Sequence, residues 1–168
     1  MDAGLFVARV VVGLLMAAHG SQKLFGWFGG YGLTGTGAFF EQLGFRPGRL
    51  FAAAAAVAEV TGGLLLVAGL LGPIGPALVV SVMVVAAATV HWQHGLFAQT
   101  NGIEVPLLYA TAASALAFTG YGGFSLDYAL GLGSIWTPGL TLAVLAAGLI
   151  GGLANLTLRQ QSHSAATA

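Results

Sequence analysis

Polar residues in this chain do not alternate with apolar ones along its length. They gather at the ends of long apolar runs and in the segments between them. A bilayer core about 30 Å thick takes roughly 20 apolar residues as a helix. Five stretches meet or approach that length: about 4–25, 50–71, 74–92, 105–119 and 138–158, of which the fourth is the shortest. Lipid offers backbone N–H and C=O groups no partner, and the dyad pattern of a barrel strand is absent, so each run predicts a helix. The expected fold is an all-α polytopic membrane helix bundle.

The connections differ in character. GPIGP, between the second and third runs, is tight and uncharged and predicts an antiparallel hairpin. The first loop, about 26–49, is long and rich in glycine, with Trp27, Phe28 and Tyr31 suited to headgroup level. Within it AFFEQLGF predicts a short interfacial helix with Phe39, Phe40 and Leu43 on its greasy side. A polar loop covers about 93–104 and a third loop about 120–137. Residues 1–158 read as one transmembrane domain, and 159–168 as a disordered polar tail. Glycine, at 27 residues, falls often inside the helical runs, where it lets backbones approach. Gly148 and Gly152 form a small-xxx-small pair, read as internal packing ahead of a homo-oligomer seam.

Composition turns this pattern into a solvent assignment. The chain is 57% hydrophobic and 6% charged, with a mean hydropathy of +0.90. Soluble domains carry about 25% charged residues, so this surface faces lipid. The net charge is zero and no basic run exists, which leaves nucleic acid without an electrostatic footprint. The absence of cysteine excludes disulfides, thiolate chemistry, cysteine-ligated clusters and covalently attached c-type haem, so no covalent cofactor is expected. Asp2 and Arg9 near the start argue against a cleaved signal peptide. Lys23, Arg46, Arg49 and Arg159 share one side and Arg9 the other, so the positive-inside rule places the first loop and the C-terminus in the cytoplasm.

Ionisable groups at bilayer depth are costly and therefore mark candidate sites. They are Arg9, His19 and Lys23 on the first helix, Glu59 on the second and His91 at the end of the third. His19 and Lys23 stand at i and i+4, on one face. With a rise of about 1.5 Å per residue, His19, Lys23, Glu59 and His91 are expected to converge in one half of the bilayer, with GWFGG as the mouth of the pocket. His19 or Glu59 alone can equally be structural, His19 bonding a neighbouring carbonyl and Glu59 pairing with Arg9 or Lys23. A metal held by His19, Glu59 and His91, or a haem between the two histidines, is a minor alternative, and no metal is assigned. Trp92 and Trp136 read as belt residues.

The run ARVVVGLLMAAHGSQKLFGWFGGYGLTGTGAFFEQLGF resembles the DoxX family of small bacterial and archaeal membrane proteins, as do AEVTGGLLLVAGLL, TVHWQHGLF, GIEVPLLYA and GFSLDYALG. The likeness spans about 5–133. It implies a four-helix core, to which the last run adds a fifth, C-terminal transmembrane helix. It also implies a multi-pass cell-membrane protein associated with quinone-linked oxidoreductase systems, working beside a redox partner protein. Arg9, His19, Lys23, Glu59, His91 and Glu104 stand at the family's recurrent polar positions. On the leading reading a quinone is the cofactor, His19, Glu59 and His91 act on it, and Arg9, Lys23, Trp27, Phe28 and Glu104 bind it. The alternatives are a non-catalytic anchor or assembly subunit of a redox complex and, behind it, a proton or small-molecule carrier.

Overall fold

A computed structural model describes residues 2–160, and among these residues the chain is helical with no strand. The helices are α1 (Asp2–Phe25), α2 (Gly32–Gln42), α3 (Gly48–Ala68), α4 (Ile74–Ala86), α5 (Glu104–Thr119), α6 (Leu126–Ala129) and α7 (Pro138–Thr157). A π-turn over Ala87–His91 and a tighter turn over Trp92–His94 prolong α4. With that extension, α1, α3, α4 and α7 are long and apolar enough to cross a membrane. At 16 residues α5 is about 24 Å long, short of the core thickness. The bundle is thus four long helices and one short one. The C-terminal helix is among the long ones, and the fourth run is the short one.

Glycine sets the helix spacing. A Cβ on Gly13 would lie 2.5 Å from the Gly63 carbonyl, and one on Gly20 would lie 2.6 Å from that of Ala56, so α1 and α3 touch backbone to backbone as an antiparallel pair. Gly148 and Gly152 pack on the main chain of Ala77 and Ser81 in α4. That pair is an internal seam, and its equal steps make α4 and α7 parallel. Around these contacts Met16, Leu66, Val79, Met83, Ala113, Leu116 and Tyr121 form the principal apolar core.

The first loop departs from expectation. The short helix starts at Gly32 rather than in the AFFEQLGF stretch, so the glycine-rich LTGTG run is helical. Glycine disfavours a helix by about 1 kcal/mol per residue. Packing overrides that here, because Gly37 rests on the backbone of Arg49 and Gly48 lies against the Gly37 carbonyl. α2 is thereby laid against the start of α3. The second run also ends sooner than expected, at Ala68, where Gly69 takes a left-handed turn (φ 64°) and donates to Leu66 O at 3.1 Å. Of the expected tail, Arg159 and Gln160 are held: Arg159 Nε donates to Leu43 O, and Gln160 N–H donates to Gly44 O at 2.8 Å. Residues 161–168 lie outside the described residues.

Candidate functional site

At the end of the bundle where α1 and α7 finish, the Lys23 ammonium pairs with Oε1 of Glu59 across the α1–α3 seam. Glu59 is 1% exposed and Lys23 26%. The second oxygen of Glu59, Oε2, is sealed from solvent and has no hydrogen-bond partner among the described residues. A carboxylate has room for about four hydrogen bonds, so this group is far from saturated.

Lys23 also lines a cavity of about 410 Å³ between α2, α3, the end of α4 and α7. Phe39, Phe40, Phe45 and Phe51 supply its aromatic walls, and His91 a second ionisable group. The π-turn brings Thr89 and His91 to the cavity wall. Such turns widen the helix locally and recur at functional sites. His91 Nδ1 donates to the Asn101 carbonyl at 2.8 Å. A carbonyl only accepts, so in the neutral ring Nδ1 carries the proton and Nε2 remains an acceptor. A second cavity, of about 610 Å³, shares Lys23, Phe39 and Phe40 with the first and opens toward Gly29, Tyr31 and Thr36 of the first loop.

Of the four groups expected to converge, the structure brings Lys23 to Glu59 and puts His91 on the cavity that Lys23 lines. It does not bring His19 there. His19 is exposed on the outer face of α1 and meets Tyr109 of α5 edge to face, with centroids 5.9 Å apart. Depth was legible in the sequence, but the rotation of α1 about its axis was not. No group of three or more His, Asp or Glu side chains among the described residues is placed to hold a metal ion. Trp27 and Phe28 lie on the outside, Trp27 stacked on Phe25 at 4.9 Å, and neither lines a described cavity. Glu104 Oε2 accepts from Ala98 N–H at 2.7 Å and so closes the loop before α5.

Arg9 belongs to the opposite end, where it is 1% exposed. Its guanidinium donates to Leu66 O at 3.1 Å and to the carbonyls of Val67 and Phe124. Val67 O is among the carbonyls that the end of α3 leaves unpaired, and Leu66 O takes a second bond beside that from Gly69 N–H, so Arg9 completes that helix terminus. Beside it the turn after α3 aims the N–H groups of Leu71 and Gly72 at the Asp127 carboxylate, at 2.8 and 2.7 Å. Leu71 adopts a left-handed φ of 60° to do so, forming an anion-holding backbone nest. The Tyr121 hydroxyl donates to Gly72 O. Burial pushes its phenol well above the usual range, Asp127 adds to the rise and Arg9 opposes it. Asp127 and Tyr121 carry no weight in the sequence reading, because they fall in the third loop rather than inside an apolar run, where a charge marks a site. Trp136, expected in the belt, has its indole against Gly72 with Nε1 buried.

The DoxX family model matches residues 4–92, just over half of the chain, from the first turn of α1 to just past the π-turn that prolongs α4. The GIEVPLLYA and GFSLDYALG stretches and α7 lie beyond it. No curated protein and no solved structure matches the chain.

Proposed function

The chain belongs to the DoxX family and is a small membrane protein. From that premise we propose that it is the membrane subunit of a quinone-linked oxidoreductase system, holding a quinone or similar lipophilic ring compound in the Lys23 cavity. The observation that carries this reading is the cavity itself: about 410 Å³, walled by four phenylalanines, with an ammonium and an imidazole in its lining. Small-molecule sites of roughly 300–1,000 Å³ combine apolar walls with a few polar groups in this way. When bound, a quinone supplies exchange of two electrons and two protons. Lys23 Nζ donates to a ligand oxygen, and His91 Nε2 accepts from a hydroxyl. Glu59 orients Lys23 and keeps Oε2 available to hold a proton. With no cysteine in the chain, electrons come from a partner protein or a dissolved reductant. The reading includes a place in the cell membrane with the first loop and C-terminus on the cytoplasmic side, where Lys23, Arg46, Arg49 and Arg159 outnumber Arg9 opposite.

The test is mass spectrometry of lipophilic compounds extracted from the detergent-purified protein, beside Glu59→Gln prepared identically. The wild type is expected to carry a quinone above bulk-lipid levels, and the variant to lose it while keeping its helical content. Equal amounts in both would remove the ligand. The Lys23–Glu59 pair would then be a pin between α1 and α3, as an anchor or assembly subunit requires.

A further inference from the structure

One wall of the Lys23 cavity comes from outside the segment that the family model matches. It is α7, and the side chain it contributes is Asn155. The Asn155 amide is half-buried and makes no side-chain hydrogen bond among the described residues. Its donors and its acceptor are therefore unused among the described residues and border the cavity. Gly148 on Ala77 and Gly152 on Ser81 fix the register between α7 and α4. In that register Asn155 stands about level with Val84 and Val85, roughly 9 Å along the helix from His91. The cavity therefore has Asn155 and His91 at two levels, with Val85, Ala86, Thr89 and Val90 lining the α4 wall between them.

The end of α7 is also strapped down. Arg159 Nε donates to Leu43 O, and Gln160 N–H donates to Gly44 O at 2.8 Å. Leu43 lines the same cavity, as does Phe45 two residues on. The strap thus ties the α7 wall to the rim formed by the loop between α2 and α3.

We infer that α7 is the specificity wall of this site: Asn155 hydrogen-bonds the ligand oxygen remote from His91, and the Arg159–Gln160 strap holds the wall closed on the ring. This role for α7 rests on the proposed quinone site and adds to it a ligand class, a ring compound with oxygens at opposite ends. The amide group is suited to this because it offers both donors and an acceptor. It donates to a carbonyl oxygen in the oxidised ligand and accepts from a hydroxyl in the reduced one. His91 Nε2, an acceptor in the neutral ring, lacks that versatility.

The experiment titrates the full-length chain in detergent with a short-tailed para-benzoquinone and, separately, with the matching ring hydrocarbon that lacks both oxygens. Wild type, Asn155→Leu, Arg159→Ala and Glu59→Gln are compared. Asn155→Leu keeps the branched shape and removes the hydrogen bond, and is expected to weaken the quinone about three- to tenfold. It should leave the hydrocarbon unaffected. Arg159→Ala is expected to speed release of both probes. If Asn155→Leu gives no folded protein, Asn155→Ser, still polar but too short to reach, is expected to show the same selective loss. Wild-type quinone affinity in the Asn155 variant, with binding lost in Glu59→Gln, would overturn the α7 assignment and leave the quinone site standing. Quinone binding to the wild type no tighter than the hydrocarbon would overturn both.

Discussion

The two ends of this bundle each bury a cation and a carboxylate, and they treat them differently. At the Arg9 end the charges are held by main chain, Arg9 by three carbonyls and Asp127 by two N–H groups, with the Tyr121 hydroxyl on Gly72; Arg9 Nε is left without a partner among the described residues, and Asp127 and Tyr121 line a cavity of about 620 Å³. At the Lys23 end the two charges face each other, one carboxylate oxygen has no partner among the described residues, and the cation borders two cavities. Backbone partners hold a buried charge in one place, and so serve architecture. A pair with an unused acceptor beside an open volume can engage something else.

The largest effect is expected from Arg9→Leu, which strips the partner from the Val67 and Phe124 carbonyls and leaves Leu66 O only its bond from Gly69 N–H. Each buried group left unsatisfied costs about 1–3 kcal/mol, so thermal unfolding in detergent should show a loss of roughly 3 kcal/mol or more. A variant as stable as the wild type would abolish the architectural role of that end.

The next effect sharpens the contrast. Lys23→Met or Glu59→Leu alone leaves an unpaired buried group, whereas the double variant leaves none. Because Lys23 is 26% exposed, each single loss is expected at about 1–3 kcal/mol, most of it recovered in the double variant. Ligand retention should nevertheless stay abolished in the double variant. A double variant that is stable and still retains ligand would separate the pair from the site.

Tyr121 gives a smaller, pH-dependent effect. Its proton is retained in the fold where the unfolded chain, with an ordinary tyrosine near pH 10, has lost it. Stability is therefore full below about pH 10 and falls as pH rises beyond it. Tyr121→Phe should flatten that fall in melting temperature while costing about 1 kcal/mol at neutral pH for the lost bond to Gly72. An unchanged alkaline slope would mean that a group other than Tyr121 causes the fall.

The smallest effect is expected at His19. On the outer face of α1 against Tyr109, His19→Phe should change stability by less than about 1 kcal/mol and leave ligand retention intact. A strong loss of ligand would return His19 to the site and break the contrast between the two ends.

Much of this was legible in the sequence for a plain physical reason. Hydrocarbon accepts only helices built from long apolar runs, so the runs themselves fixed where the helices lie, and the rare polar residues fixed which depths carry chemistry. Depth follows from counting residues along an axis, and so Lys23, Glu59 and His91 could be placed in the same half of the bilayer. Facing does not follow from counting. Whether His19 looks inward, whether Glu59 takes Lys23 or Arg9, and whether Asn155 reaches the cavity depend on how each helix is rotated and in what register it meets its neighbour. Gly13 and Gly20 against α3, Gly37 against Arg49, and Gly148 and Gly152 against α4 set those rotations through backbone contacts distant in sequence. Sequence alone determined the solvent, the helices and the depth of each charge. Only the tertiary structure decided which charges meet, because glycine seams fix a helix's orientation only once the facing helix is in place.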